Sequence, residues 1–229
     1  MARGSAIEKG KEVEKMKRAA AQLVTLAAWL LLALWPLPTI EAEPRAPVIV
    51  ALGDSLTSGL GLPQDETFPA QLEAALKARG ESVTVVNAGV SGDTAAAALT
   101  RLDWALPHDA SAVIVELGGN DALQGIPTEA IKTSLAKIIE QLQAKGLKVL
   151  LAGQEAPRNM GTDYVDAFRA IYPALAERYH VIFYPFFLDG VALDDGLMQG
   201  DGIHPNAKGV ARIVENILPK VEELFKPVD

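Results

Sequence analysis

Val48-Ile49-Val50-Ala51-Leu52-Gly53-Asp54-Ser55-Leu56 decides the reading of this chain. It starts as a run of apolar, mostly β-branched residues, the pattern of a buried strand. It then breaks into Gly-Asp-Ser, with a second glycine at Gly59. A serine just past a buried strand, beside a glycine that permits a sharp turn, is exposed at the sheet's end yet held by rigid elements. That is where a nucleophile belongs, provided the rest of the chain supplies a base, a group to orient the base, and donors for an oxyanion.

Strands and helices alternate downstream. Strands are expected at Val48–Leu52, Val83–Val86, Ala112–Leu117, Lys148–Ala152 and Val181–Tyr184. Helices are expected at Phe68–Arg79, Thr94–Leu102, Thr128–Lys145, Asp163–Tyr179 and Asn206–Phe225. Thr67 should cap the first of these, Pro69 suits its first turn, and Gly80 ends it. Pro173 should kink or break the fourth. Short apolar strands, each followed by a helix or a helix-bound loop, imply a parallel sheet covered on both faces. Right-handed crossovers make it a doubly wound α/β/α layer. Ligands of such sheets bind at the carboxyl ends of the strands. The polar, glycine-rich stretches Gly53–Ser55, Gly89–Thr94, Gly118–Asp121 and Asp201–Pro205 therefore converge on one edge.

The chain has 229 residues, enough for one domain of roughly 180 residues plus an N-terminal extension. Its formal net charge of −8 argues against nucleic acid, which needs a basic face. It has no cysteine, which excludes disulfides, thiolate catalysis and Cys-ligated zinc. His108, His180 and His204 lack metal-site spacing, so no metal or other cofactor is expected.

Residues 1–47 differ from the rest, and the catalytic domain is expected over residues 48–229. Lys15, Lys17 and Arg18 precede the apolar stretch Ala19–Leu37, and small and polar residues follow up to Pro44. This reads as a secretory signal peptide cleaved after Ala42, with an uncleaved membrane anchor as the alternative. Glu8, Glu12 and Glu14 are unusual for a signal's first region, and Met16 offers an alternative start. The expected location is the periplasm or the exterior, and the expected state is a monomer.

Acyl transfer by serine needs a base, because a free serine is a weak nucleophile. His204 fits, in a loop at the predicted edge and stiffened by Pro205. Asp201 lies three residues earlier, with Gly202 between, so a tight turn can bring its carboxylate to the imidazole. The backbone N–H groups of Ser55 and Gly92 and the side-chain amide of Asn120 are the candidate oxyanion donors. Asp54 and Asp121 read as braces of their turns. His108 and His180 read as structural.

Gly53-Asp54-Ser55-Leu56, Gly92, Gly118-Gly119-Asn120-Asp121 and Asp201-Gly202-Ile203-His204-Pro205 resemble the four blocks of the GDSL, or SGNH, hydrolases, in the family's order. The resemblance spans roughly residues 48–225. Leu117–Asp121, Pro185-Phe186-Phe187 and Met198–Asn206 are similar to the bacterial periplasmic branch with thioesterase, lysophospholipase and arylesterase activity. The resemblance implies a flavodoxin-like α/β/α fold with a five-stranded parallel sheet. It also implies hydrolysis of small-molecule acyl esters or thioesters through an acyl-serine. Ser55 is then nucleophile and oxyanion donor, Gly92 and Asn120 the other donors, Asp201 the orienting group and His204 the base. No G-x-S-x-G elbow is present, so the pattern is not that of the common α/β-hydrolases. Leu60, Ile126, Met160 and Met198 are candidates for an apolar acyl groove, and Pro157–Gly161 resembles the branch's mobile substrate loop. Two other readings remain open at this level. One is a carbohydrate acetyl-esterase. The other is a flavodoxin-like binding module for an anionic ligand, which leaves Asp201 and His204 without a task.

Overall fold

The computed structural model describes residues 10–20 and 46–226. Residues 10–20 are helical and exposed. Most of the expected signal stretch, and the site after Ala42, lie outside the described residues. Among the described residues no helix is long and apolar enough to cross a membrane.

Residues 46–226 build a five-stranded, wholly parallel sheet in the order β2-β1-β3-β4-β5. The strands are β1 (Val48–Gly53), β2 (Thr84–Gly89), β3 (Ala110–Glu116), β4 (Lys148–Ala152) and β5 (Ile182–Tyr184). The principal helices are α1 (Ser55–Ser58), α2 (Phe68–Ala78), α3 (Ala95–Thr100), α4 (Leu102–Ala105), α5 (Gly119–Leu123), α6 (Thr128–Ala144), α7 (Thr162–Tyr179) and α8 (Ala207–Val221).

Alternation along β1 divides the core in two, because successive strand side chains point to opposite faces. Ile49 and Ala51 join Phe68, Leu72 and Leu76 of α2 and Val210, Ile213 and Ile217 of α8. Val50 and Leu52 join Ala95 and Ala98 of α3, Leu135 and Ile138 of α6, and Phe168 and Tyr172 of α7. Each fully buried Leu or Ile contributes about 1.5–3 kcal/mol. Both faces of the sheet are therefore committed to packing. The strands' carboxyl ends, where the backbone leaves the sheet, remain for chemistry.

Several local expectations are corrected. Strand β2 runs on through Asn87-Ala88-Gly89, because Gly89 still pairs with Gly53 of β1. The helix expected from Thr94 is two short ones meeting at Arg101. Thr94 caps the first, its hydroxyl accepting from the Ala97 N–H at 3.2 Å. The Thr67 hydroxyl does not cap α2; it donates back to the Gln64 carbonyl at 2.9 Å. Helix α7 continues through Pro173 without a break. Its buried face, Phe168 to Ala176, holds the helix together across the missing N–H. Helix α8 ends at Val221, and a 3₁₀ turn, Glu222–Phe225, completes the expected segment.

Candidate active site

Strand β1 ends at Gly53, and the chain turns at once into the one-turn helix α1. Asp54 caps that helix: Oδ1 accepts from the Leu56 N–H at 3.0 Å. Gly59, at φ 78°, closes it by donating to the Ser55 carbonyl at 3.1 Å. A left-handed residue is needed there, and glycine adopts it without a Cβ penalty. Ser55 thus sits half-buried at the start of a helix, where backbone amides lack intrahelical partners.

The other half of the site lies between β5 and α8. Asp201 Oδ1 accepts from the backbone N–H groups of Ile203 at 2.9 Å and His204 at 3.0 Å. Its Oδ2 stands 2.6 Å from His204 Nδ1. These bonds, the backbone N–H of His204 first, hold the Asp201 carboxyl well below the usual carboxylate range. An ionised partner at Nδ1 fixes the proton there, which leaves Nε2 as an acceptor. Nε2 lies 2.9 Å from Ser55 Oγ. The structure thus joins residues 149 positions apart in one line of hydrogen bonds.

The loop is braced on both sides. Met198 forms an antiparallel bridge with Pro205. The Gln199 N–H donates to the His204 carbonyl at 2.7 Å. The Gln199 side-chain amide donates to the carbonyls of Leu60 at 2.8 Å and Pro205 at 3.0 Å, which clips the histidine loop to the serine loop. Asn206 caps α8, its Oδ1 accepting from the Lys208 and Gly209 N–H groups. Nothing in the sequence marks Gln199, because its partners are backbone carbonyls.

Asn120 links the two segments that carry the other expected oxyanion donors. Asn120 donates one Nδ2 hydrogen bond to Asp54 Oδ2 and one to the Asp93 carbonyl, both at 3.0 Å. The first places it next to Ser55, the second next to Gly92. Gly92 has φ 88°, and a Cβ there would meet nothing within 4 Å. Glycine suits this position because the backbone there is left-handed. Both expected braces are present. Asp54 caps α1, and Asp121 Oδ2 accepts from the Ala95 N–H at 2.9 Å. Burial pushes the Asp54 carboxyl up to about 6 and raises that of Asp121.

Glu116 carries no sequence signal of its place beside the site. It ends a mostly apolar strand and is fully buried. Its Oε2 accepts from the Thr57 hydroxyl at 2.7 Å, and its Oε1 from the Gln154 amide at 2.6 Å. Arg101 was also hidden, inside what reads as one helix. Its Nε donates to Asp93 at 2.6 Å, and its Nη2 reaches the Ala88 carbonyl at 3.0 Å and the Gly53 carbonyl at 3.3 Å. His180 is the left-handed end of α7, and His108 is exposed in a loop.

The groove candidates divide. Met160, in a 3₁₀ turn, and Ile126 are partly buried. Their loops adjoin: Tyr164 donates to the Ile126 carbonyl at 2.7 Å, and Met160 packs over Gly125. Met198 is a correction. It is buried in the core with Phe187 and Val191, so it supports the histidine loop from beneath instead of lining a groove. Leu60 is exposed, as are Val90, Leu123 and Ile203, each within a few residues of a site residue.

The sequence profile described as the GDSL-like lipase/acylhydrolase family matches residues 51–212. The chain belongs to that family and is a hydrolase of the ester- and thioester-cleaving kind. It is 38% identical over 201 residues to Esterase TesA of Pseudomonas aeruginosa, covering 87% of this chain and all of that protein. It is 40% identical over 162 residues to Thioesterase 1/protease 1/lysophospholipase L1 of Escherichia coli K12, covering 70% of this chain and 76% of that one. The solved structure of AlinE4, an SGNH-hydrolase family esterase, is 41% identical with a TM-score of 0.67, covering 81% of this chain and all of that one.

Proposed function

We propose that the chain hydrolyses carboxylic esters or thioesters with apolar acyl groups through an acyl-Ser55 intermediate. The observation that carries this is the line from Ser55 Oγ through His204 to Asp201, at 2.9 and 2.6 Å. His204 Nε2 takes the Ser55 proton as Oγ attacks the acyl carbon. The carbonyl electrons move onto oxygen, where the N–H groups of Ser55 and Gly92 and the Asn120 amide receive the charge. The tetrahedral adduct collapses, and the alkoxide or thiolate leaves with the proton from His204. Water, deprotonated by His204, then attacks the acyl-enzyme and Ser55 regains its proton. Asp201 stays ionised and stabilises the imidazolium. Asn120 enters this scheme with both amide hydrogens engaged, so the oxyanion shares or displaces one of them.

Exposed Leu60, Val90, Leu123 and Ile203 around the site favour an apolar acyl group over a polar one. The relatives' printed names, esterase, arylesterase and thioesterase/lysophospholipase, support the same substrate class. The N-terminal segment is proposed to direct the enzyme to the periplasm or the exterior. N-terminal sequencing of the exported protein checks this, and a mature end far from Ala42 would refute the expected cleavage.

The test is hydrolysis of p-nitrophenyl esters, acetyl through palmitoyl, by the wild type and by Ser55→Ala. Loss of activity in the variant together with a preference for longer chains is expected. Activity retained by the variant would overturn the serine mechanism. A preference for acetyl alone would overturn the apolar-acyl assignment.

A further inference from the structure

Glu116 has no place in the steps above, yet it is buried directly beneath the nucleophile turn. It pairs in register with Gly53, the last residue of β1. Its carboxyl gathers three segments. The Thr57 hydroxyl comes from α1, two residues after Ser55, and Thr57 is itself fully buried. The Gln154 amide comes from the segment after β4. The Asp54 backbone N–H faces Oε2 at 3.5 Å. No Lys or Arg pairs with Glu116 or Asp54 among the described residues.

A buried carboxyl without a cation is costly, and a chain that needed only packing at this point would place an aliphatic residue there. The surroundings are also fitted to it. A Cβ on Gly53 would lie 2.1 Å from Thr57 Oγ1 and 2.6 Å from Glu116 Oε2, so the Thr57–Glu116 pair fills the space that a side chain at Gly53 would take. On the next strand, a Cβ on Gly89 would lie 2.3 Å from the Ser58 nitrogen. The one-turn helix that carries Ser55 is thereby pressed onto the strand ends, with the buried Thr57–Glu116 hydrogen bond beneath it. Burial, and after it the charge of Asp54, pushes the Glu116 carboxyl well above the usual carboxylate range.

We propose that Glu116 is a positioning residue that sets Ser55 against His204 by holding Thr57, and that it ties this turn through Gln154 to the segment following β4. The proposal rests on Ser55 being the nucleophile. A hydroxyl displaced by a fraction of an ångström from its base loses rate without losing substrate binding. The role therefore shows in kcat and not in KM.

The experiment compares Thr57→Val, Thr57→Ser, Glu116→Leu and the Thr57→Val/Glu116→Leu double variant on one p-nitrophenyl ester, with Ser55→Ala alongside. Thr57→Val should lower kcat by about 10–100-fold with KM close to wild type. Thr57→Ser, which keeps the hydroxyl, should restore most of the loss. The double variant should be little worse than Glu116→Leu alone, because that change already removes the Thr57 tether. Wild-type kcat in Thr57→Val, an equal loss in Thr57→Ser, or a change in thermal midpoint without one in kcat would each overturn the proposal. So would multiplying losses in the double variant. If Glu116→Leu does not fold, the two Thr57 variants still decide. Failure of the catalytic reading is separate: it appears as activity in Ser55→Ala.

Discussion

The side-chain amide of Asn120 donates to the Asp54 carboxylate at 3.0 Å, so the residue before the candidate nucleophile orients a candidate oxyanion donor. The same carboxylate caps the helix that starts with Ser55. One buried acid thus sets both the nucleophile's turn and the donor beside it. An amide held this way is already oriented beside the nucleophile and has only to share or exchange one of its two hydrogen bonds when charge develops.

Asn120→Ala should reduce kcat on the order of 10²–10³-fold while changing KM little. Steady-state kinetics on a p-nitrophenyl ester check it. An unchanged kcat with an altered KM would remove Asn120 from the oxyanion site.

Asp54 gives a pH signature. Its folded value of about 6 lies above the ordinary 3.8, so the folded state holds this proton more tightly than the unfolded chain. The favourable contribution is full below about pH 4 and is lost as pH rises through about 6. A displacement of that size corresponds to about 3 kcal/mol. Asp54→Asn does not titrate there. Urea unfolding at pH 4 and pH 7 should therefore show the wild type losing about 2 kcal/mol relative to the variant between the two, since the unfolded chain is already partly ionised at pH 4. A constant difference at both pH values would contradict the burial argument.

Asp201 behaves in the opposite sense. Its folded value is depressed, so its stabilising contribution is present above its ordinary value and disappears as the pH falls through the lower folded one. It remains ionised wherever His204 can act as a base. Asp201→Asn should lower kcat by about 10³–10⁴-fold, because an amide at Nδ1 admits the wrong tautomer. Steady-state kinetics check the loss, and the Ser55–His204 geometry should survive in a crystal structure.

Gly209→Ala tests packing against propensity. Gly209 lies in the first turn of α8, where alanine is ordinarily favoured by about 1 kcal/mol. Here a Cβ would lie 2.2 Å from the Leu197 carbonyl oxygen. The substitution should instead destabilise by about 1–3 kcal/mol, read from thermal or urea unfolding. A gain in stability would show that the loop before α8 yields freely.

The amino-acid sequence by itself determined the parallel α/β/α fold and the residues of the candidate catalytic line. Both rest on local signals. Apolar β-branched runs such as Val48–Leu52 are strands wherever both faces are covered. Asp201-Gly202-Ile203-His204 closes its own turn, since Asp201 takes the Ile203 and His204 amides within three residues. Tertiary structure alone decided what lies around that line. Glu116 in a hydrophobic strand, Gln199 in a loop and Arg101 between two short helices carry no local pattern, because most of their partners are 38 to 139 positions away or are backbone carbonyls. Met198 shows the same division from the other side. Its sequence position puts it beside the histidine loop, but whether its side chain faces substrate or core depends on the bridge to Pro205 and on the volume left by Phe187 and Val191. Packing of distant segments sets that choice, and a residue's immediate neighbours do not encode it.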